Sequence, residues 1–121
     1  MKLEATDRSP LVEFDDVHGD LVIRGRSVHE NAEAFYSPVH DSIEAFLARN
    51  PARMNAVFDL EYFNSSSSKY FLDILRSLED AAGRGTAVQV SWMYDSEDLD
   101  MKEAGADYKE LLRIPLKLKA K

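Results

Sequence analysis

The sequence predicts an α/β domain: a mainly parallel mixed sheet covered by helices, with an antiparallel β-hairpin at its N-terminal end. Three observations carry this. Short β-branched runs alternate with stretches whose apolar residues recur at helical spacing, which builds strand–helix–strand units. Two such runs near the N-terminus are separated only by turn residues. The chain has 121 residues, of which 45% are hydrophobic and 31% charged, a balance that suits one globular domain burying roughly two thirds of its unfolded surface.

Leu11-Val12-Glu13-Phe14 and Leu21-Val22-Ile23-Arg24 are the hairpin strands, and Asp15-Asp16-Val17-His18-Gly19-Asp20 supplies turn chemistry between them. From Asn31 to Asn50, Phe35, Val39, Ile43, Phe46 and Leu47 mark the inner face of a helix. Pro38 lies inside that stretch and removes a backbone donor, so a kink is expected there, or a short first helix with the main one beginning near Ser37. Ala56-Val57-Phe58-Asp59-Leu60 reads as a buried strand ending at Tyr62-Phe63. Next comes a helix with Phe71, Ile74, Leu75, Leu78 and Ala82 inward, stopped by Gly83 and Gly85. Thr86 to Tyr94 forms a strand, a helix near Glu97 to Arg113 carries Leu99, Tyr108, Leu111 and Leu112, and Pro115-Leu116-Lys117-Leu118 offers a last strand.

Composition narrows the function classes. Fifteen Lys and Arg against 22 Asp and Glu leave a net charge of −7, a field that repels a nucleic-acid backbone. Without cysteine the chain has no disulfide framework and no thiolate chemistry, which agrees with a cytoplasmic setting. The first residues lack a hydrophobic targeting segment and the longest apolar run is Ala45 to Ala48, so no membrane partner is expected. His18, His29 and His40 have no metal-ligating spacing, and Asp15, Asp16, His18 and Asp20 are better explained as turn residues than as cation ligands. No metal or cofactor is expected. No serine sits in a Gly-x-Ser-x-Gly elbow, which disfavours a hydrolase. Between Asp95 and Glu110 seven carboxylates face Lys102 and Lys109, a local balance of −5; this is a solvated helix face or a docking surface for basic residues.

Asn64-Ser65-Ser66-Ser67-Ser68-Lys69 is the unusual segment. It falls where a buried strand ends and a helix begins, the end of an α/β sheet where ligands and chemistry collect. Asn64, Ser65 or Ser66 can cap the helix, yet a run of serines contributes little helix propensity, so capping alone does not explain it. First-turn amides and the Lys69 charge suit a phosphoryl group, either bound from a ligand or attached to a hydroxyl. Tyr62, Phe63 and Tyr70 flank the serines as core residues or, where exposed, as a partner-binding patch.

Four motifs in order resemble the SiaC family of bacterial regulatory phosphoproteins, small domains related in shape to the STAS domains of anti-sigma factor antagonists. They are Ala5-Thr6 with Ser9-Pro10 and Val12-Glu13-Phe14-Asp15; Gly25-Arg26-Ser27 with Glu30-Asn31 and Phe35-Tyr36-Ser37-Pro38-Val39; Tyr62-Phe63-Asn64-Ser65-Ser66-Ser67-Ser68-Lys69; and Trp92-Met93-Tyr94 with the acidic stretch leading to Tyr108. The resemblance implies a single STAS-like domain with about three to four helices and no catalysis of its own. It implies phosphorylation by a dedicated kinase on the residue after the asparagine, here Ser65 with Ser66, Ser67 and Ser68 as alternatives, and resetting by a PP2C-type phosphatase. Asn64, Ser66 and Lys69 would surround the phosphate. The unphosphorylated form would bind and activate a diguanylate cyclase; an anti-sigma factor antagonist is the alternative reading, and a small-ligand-binding or hydrolytic enzyme a third. The family often has threonine where this chain has Ser65, and a Tyr-Pro pair where it has Val28-His29.

Overall fold

A computed structural model describes residues 1–121. The strands are β1 (Lys2–Leu3), β2 (Leu11–Asp15), β3 (Asp20–Ser27), β4 (Arg53–Phe63), β5 (Ala87–Tyr94) and β6 (Leu116–Ala120); the helices are α1 (Ala32–Leu47), α2 (Ser65–Gly83) and α3 (Leu99–Leu111). The strands lie side by side in chain order. β1, β2 and β3 are antiparallel, while β3 through β6 are parallel and joined by the helices. Burial alternates along each strand, with Val12 and Phe14, Leu21 and Ile23, Met54 to Leu60 at every second position, Val88 to Trp92 likewise, and Leu116 buried. All three helices therefore cover one face of the sheet, and the other face, with Glu13, Arg24, Gln89 and Lys117, meets water.

The predicted hairpin is present. Asp15 Oδ1 accepts the Val17 and His18 amides at 2.9 and 3.0 Å and Oδ2 holds His18 Nδ1 at 2.7 Å, a side-chain turn that draws its carboxyl pKa down to about 2, chiefly through the backbone hydrogen bond from His18. Gly19 closes the turn at φ +75°, where a Cβ would lie 2.4 Å from Arg53 O.

One strand is added and three expectations are corrected. The two-residue β1 carries no periodicity, yet it extends the hairpin through the pairs Lys2↔Glu13 and Leu3↔Val12. α1 runs unbroken through Pro38. Pro38 and Ala34, whose carbonyl loses its helical partner, are both exposed, so the missing bond falls on the solvent side of the helix. β4 begins three residues earlier than its apolar run, at Arg53. In α3 the inward residues are Met101, Gly105 and Tyr108, whereas Leu99 and Leu111 are 68% and 52% exposed.

Candidate functional site

The serine segment sits at the C-terminal end of β4, as its position in the sequence requires. Asn64 is the N-cap of α2: its Oδ1 accepts the Ser67 amide at 3.0 Å and Ser67 Oγ at 2.9 Å. The structure separates the four serines by helix phase. Ser65 and Ser66 are exposed and Ser68 is half-buried. Ser67 is fully buried. Its hydroxyl also reaches Ser27 O at 2.8 Å, and its oxygen accepts Ser27 Oγ–H at 2.7 Å. Ser27 Oγ in turn accepts the Tyr36 hydroxyl at 2.5 Å. Because each hydroxyl has one proton, the chain runs in one direction from Tyr36 through Ser27 to Ser67, whose own proton is shared between Ser27 O and the capping Asn64 Oδ1. Burial, opposed by the Ser27 hydrogen bond, pushes the Tyr36 hydroxyl well above its ordinary pKa, which keeps that proton in place. Ser67 is thereby removed from the candidate acceptors: it is a structural pin joining α2 to β3 and α1.

Lys69 is four residues after Ser65, one helical turn along the same face, with Nζ over the Tyr70 ring at 5.4 Å. The first-turn amides of α2 have no helical partners beyond those the cap satisfies. A phosphoryl group on Ser65 would meet these donors and the positive end of α2.

The aromatic flank divides three ways. Gly25 pairs with Leu60 but Arg26 pairs with Tyr62, so Glu61 is a bulged residue and the in–out alternation inverts after it. Tyr62 consequently turns outward, 53% exposed, under the Arg26 guanidinium at 5.8 Å. Phe63 turns inward, edge-on to Phe71 at 5.2 Å and Trp92 at 6.0 Å. Tyr70 stacks on Tyr36 at 5.8 Å and packs between α1 and α2. The expected patch of Tyr62, Phe63 and Tyr70 is thus not one surface. Sequence reading missed Ser27, Tyr36 and Tyr108 as parts of the site. Tyr108 OH donates to Ser68 O at 2.9 Å, tying α3 to the first turn of α2, and burial raises its pKa. All three lie within the family motifs, which is the signal that pointed to them.

The histidines lie elsewhere. His18 is on Asp15, His29 stacks on Phe35 at 5.8 Å, and His40 Nε2 is 2.7 Å from Ser77 Oγ. Ser77, 7% exposed, donates to Asp73 O within α2, so this serine–histidine pair is a link between α1 and α2 rather than an accessible nucleophile. The turn acid Asp20 is held by Arg53 at 2.9 Å.

An accessible serine on a capped helix start, pinned to β3 and α1 through Ser67, suits a regulatory domain acted on by other proteins. Comparison with known proteins gives the particular family. Residues 3–121 match the SiaC family regulatory phosphoproteins, and the chain belongs to that family. It is 30% identical over 120 residues to an uncharacterized protein of Pseudomonas aeruginosa (strain UCBPP-PA14), covering 99% of this chain and 95% of that one. Among solved structures it is similar to apo-SiaC from P. aeruginosa, with 30% identity, a TM-score of 0.93 and 99% and 98% of the two chains covered. It is also similar to SiaC in complex with the diguanylate cyclase SiaD, of which SiaC is the activator, with 30% identity, a TM-score of 0.95 and coverage of 100% and 99%. As a family member the chain is a regulatory phosphoprotein, not a catalyst, and no helix in it is long and apolar enough to cross a membrane.

Proposed function

We propose that this chain is a cytoplasmic bacterial switch whose Ser65 hydroxyl accepts phosphate from a partner kinase and loses it to a PP2C-type phosphatase, and whose unphosphorylated form binds and activates a diguanylate cyclase. The observation that carries the reading is the exposure of Ser65 at the first position of α2, directly after the cap that holds the turn in place. The SiaC–SiaD complex supports the choice of a cyclase as effector over an anti-sigma kinase. Ser66, also exposed, is the competing acceptor on geometric grounds; Ser68 is less accessible and Ser67 is sealed.

The physical effect is local. Phosphoserine adds about −1.5 to −2 charge and three strong acceptor oxygens at neutral pH. That charge is welcomed by the amides and Lys69 but disfavours burial of the same surface under a partner. A coupling of about 1 to 3 kcal/mol changes affinity roughly 5- to 150-fold, so no refolding is needed. The test is phosphopeptide mapping of protein from its own host, together with titration of the host diguanylate cyclase that co-purifies with the Ser65→Ala chain. Ser65→Ala is expected to bind the cyclase and ignore the kinase, and Ser65→Asp to bind more weakly. Label found only outside Ser65 to Ser68, or cyclase affinity unchanged by stoichiometric phosphorylation, would refute the assignment.

A further inference from the structure

The parallel strands β3 to β6 carry helices on one face only. Parallel strands in α/β domains are ordinarily covered on both faces, so the bare face is the exception in this fold. Its middle is apolar or small: Val22, Val57 and Met93 with Ser91, all half-buried. Strand pairing sets these residues in rows, and one row reads Glu13, Val22, Val57, Ser91, Lys117 from β2 to β6.

Most charges on the face are matched within the chain. Arg24 and Lys121 hold Asp59 at 3.2 and 2.7 Å, and Arg53 holds Asp20 at 2.9 Å. Asp15 is occupied by the hairpin turn, and Lys2 on β1 is turned to Glu4 at 3.5 Å. The flanks are unmatched. Glu13 on β2, and Lys117 and Lys119 on β6, are exposed and have no opposite charge within ion-pair distance. Four strand spacings of about 4.8 Å put Glu13 about 19 Å from Lys117, too far to meet within one chain. The face is thus acidic at one side, basic at the other and apolar between.

We propose that this face is the contact surface for a second copy of the chain, the two sheets packing face to face about a two-fold axis that runs along β4. Two in-plane axes are open to such a pair. An axis across the strands would lay β2 on β2 and β6 on β6, setting Glu13 on Glu13 and Lys117 on Lys117. The axis along β4 lays β2 on β6 instead, so Glu13 of each copy meets Lys117 of the other, with Val57 against Val57 at the centre. The chain's excess of acid does not oppose this, because it is concentrated between Asp95 and Glu110, on and just before α3 on the far side of the sheet. The face measures about 24 Å across its strands and about 17 Å along a five-residue strand. That is small for a stable dimer, so a weak one of micromolar Kd is expected. α2 lies on the opposite face, which leaves Ser65 free in the dimer, and the inference does not rest on the switch.

The experiment is sedimentation equilibrium of the full chain from about 1 μM to about 1 mM. It compares wild type, Glu13→Lys, Lys117→Glu, an equimolar mixture of those two, and Asp41→Lys as a charge control at an exposed position of α1. All substituted positions are exposed, and circular dichroism checks each fold. Wild type and Asp41→Lys are expected to dimerise alike. Each face variant opposes like charges at both contacts and is expected to self-associate at least about tenfold more weakly. In the mixture a Glu13→Lys chain meets a Lys117→Glu chain with opposite charges at both contacts, so association should return to within about threefold of wild type. A wild-type chain that stays monomeric at about 1 mM overturns the proposal. So do face variants that associate like wild type, or a mixture that associates no more tightly than its components.

Discussion

Replacing Gly105 by alanine tests how α3 is seated on the sheet. A Cβ at Gly105 would lie 2.3 Å from Trp92 Cδ1, 2.7 Å from Trp92 Cγ and 2.6 Å from Leu118 Cδ2. Ordinary carbon contacts sit near 3.5–4.0 Å, so about 1 Å of movement is required. Trp92 cannot supply it. The ring is fully buried, stacked on Phe58 at 5.5 Å and tilted on Tyr108 at 5.3 Å, and its Nε1–H donates to Met101 O at 3.0 Å. Leu118 is half-buried on the edge strand and can yield, so the residual strain falls on α3, which must lift from β5. Overpacking of this kind costs about 1 to 3 kcal/mol, and with an immobile ring the upper end applies. The gain in helix propensity returns about 0.8 to 1.0 kcal/mol. The net loss is about 2 kcal/mol, or about 6 to 10 °C in melting temperature for a domain of this size. Urea unfolding followed by the fluorescence of Trp92, the single tryptophan, measures it directly. A Gly105→Ala protein with an unchanged or higher urea midpoint would show that α3 does not owe its position to the missing side chain.

Two further outcomes are expected. Asn64→Ala removes the acceptor for the Ser67 amide and should cost about 0.5 to 2 kcal/mol, whereas Asn64→Asp keeps a capping oxygen and should stay within a few tenths of a kcal/mol of wild type; equal losses in the two variants by thermal melting would contradict the cap. Asp15 has a folded pKa of about 2 against an ordinary 3.8, so its stabilising contribution is fully present above pH 4 and lost as the pH falls toward 2. Carboxyl-carbon NMR should place its midpoint near 2, with Asp15→Asn flattening the acid limb of stability; a midpoint near 3.8 would mean that the turn does not hold the carboxylate.

The hairpin, the helix starts and the alternation of strands and helices are legible because each depends on local chemistry: turn residues at Asp15 to Asp20, a cap at Asn64, apolar spacing along α1 and α2. What was not legible depends on partners far away in the chain. Which serine is buried is set by the phase of α2 against Ser27 on β3, 40 residues distant, and no property of a serine run announces it. The outward turn of Tyr62 follows from the bulge at Glu61, which falls between the pairs Gly25↔Leu60 and Arg26↔Tyr62 and has no marker in β4 itself. Leu111 reads as core by hydrophobicity but falls on the open side of α3, because Gly105 and Tyr108 bring a different face onto Trp92. The serine segment was conspicuous, since four serines at a helix start serve no propensity; the hydrogen-bonded chain behind it was not.

The same geometry decides what kind of switch the proposed phosphorylation would be. The turn bearing Ser65 is fastened by the Asn64 cap and by the buried chain from Tyr36 through Ser27 to Ser67, so a phosphate has no loose segment to order or melt. Its charge enters at the positive end of α2, beside unpaired amides, and each negative charge so placed stabilises a helix by about 0.3 to 1 kcal/mol. Phosphorylation should therefore leave melting temperature equal or raised by a few degrees even as cyclase affinity falls. Differential scanning calorimetry of the two forms, with amide exchange at Ser67 and Ser68 as the local probe, separates this from a switch that acts by unfolding. A phosphorylated form that melts lower and exchanges faster in that first turn would mean that the pin gives way, and that partner release follows from loss of structure rather than from charge at an intact surface.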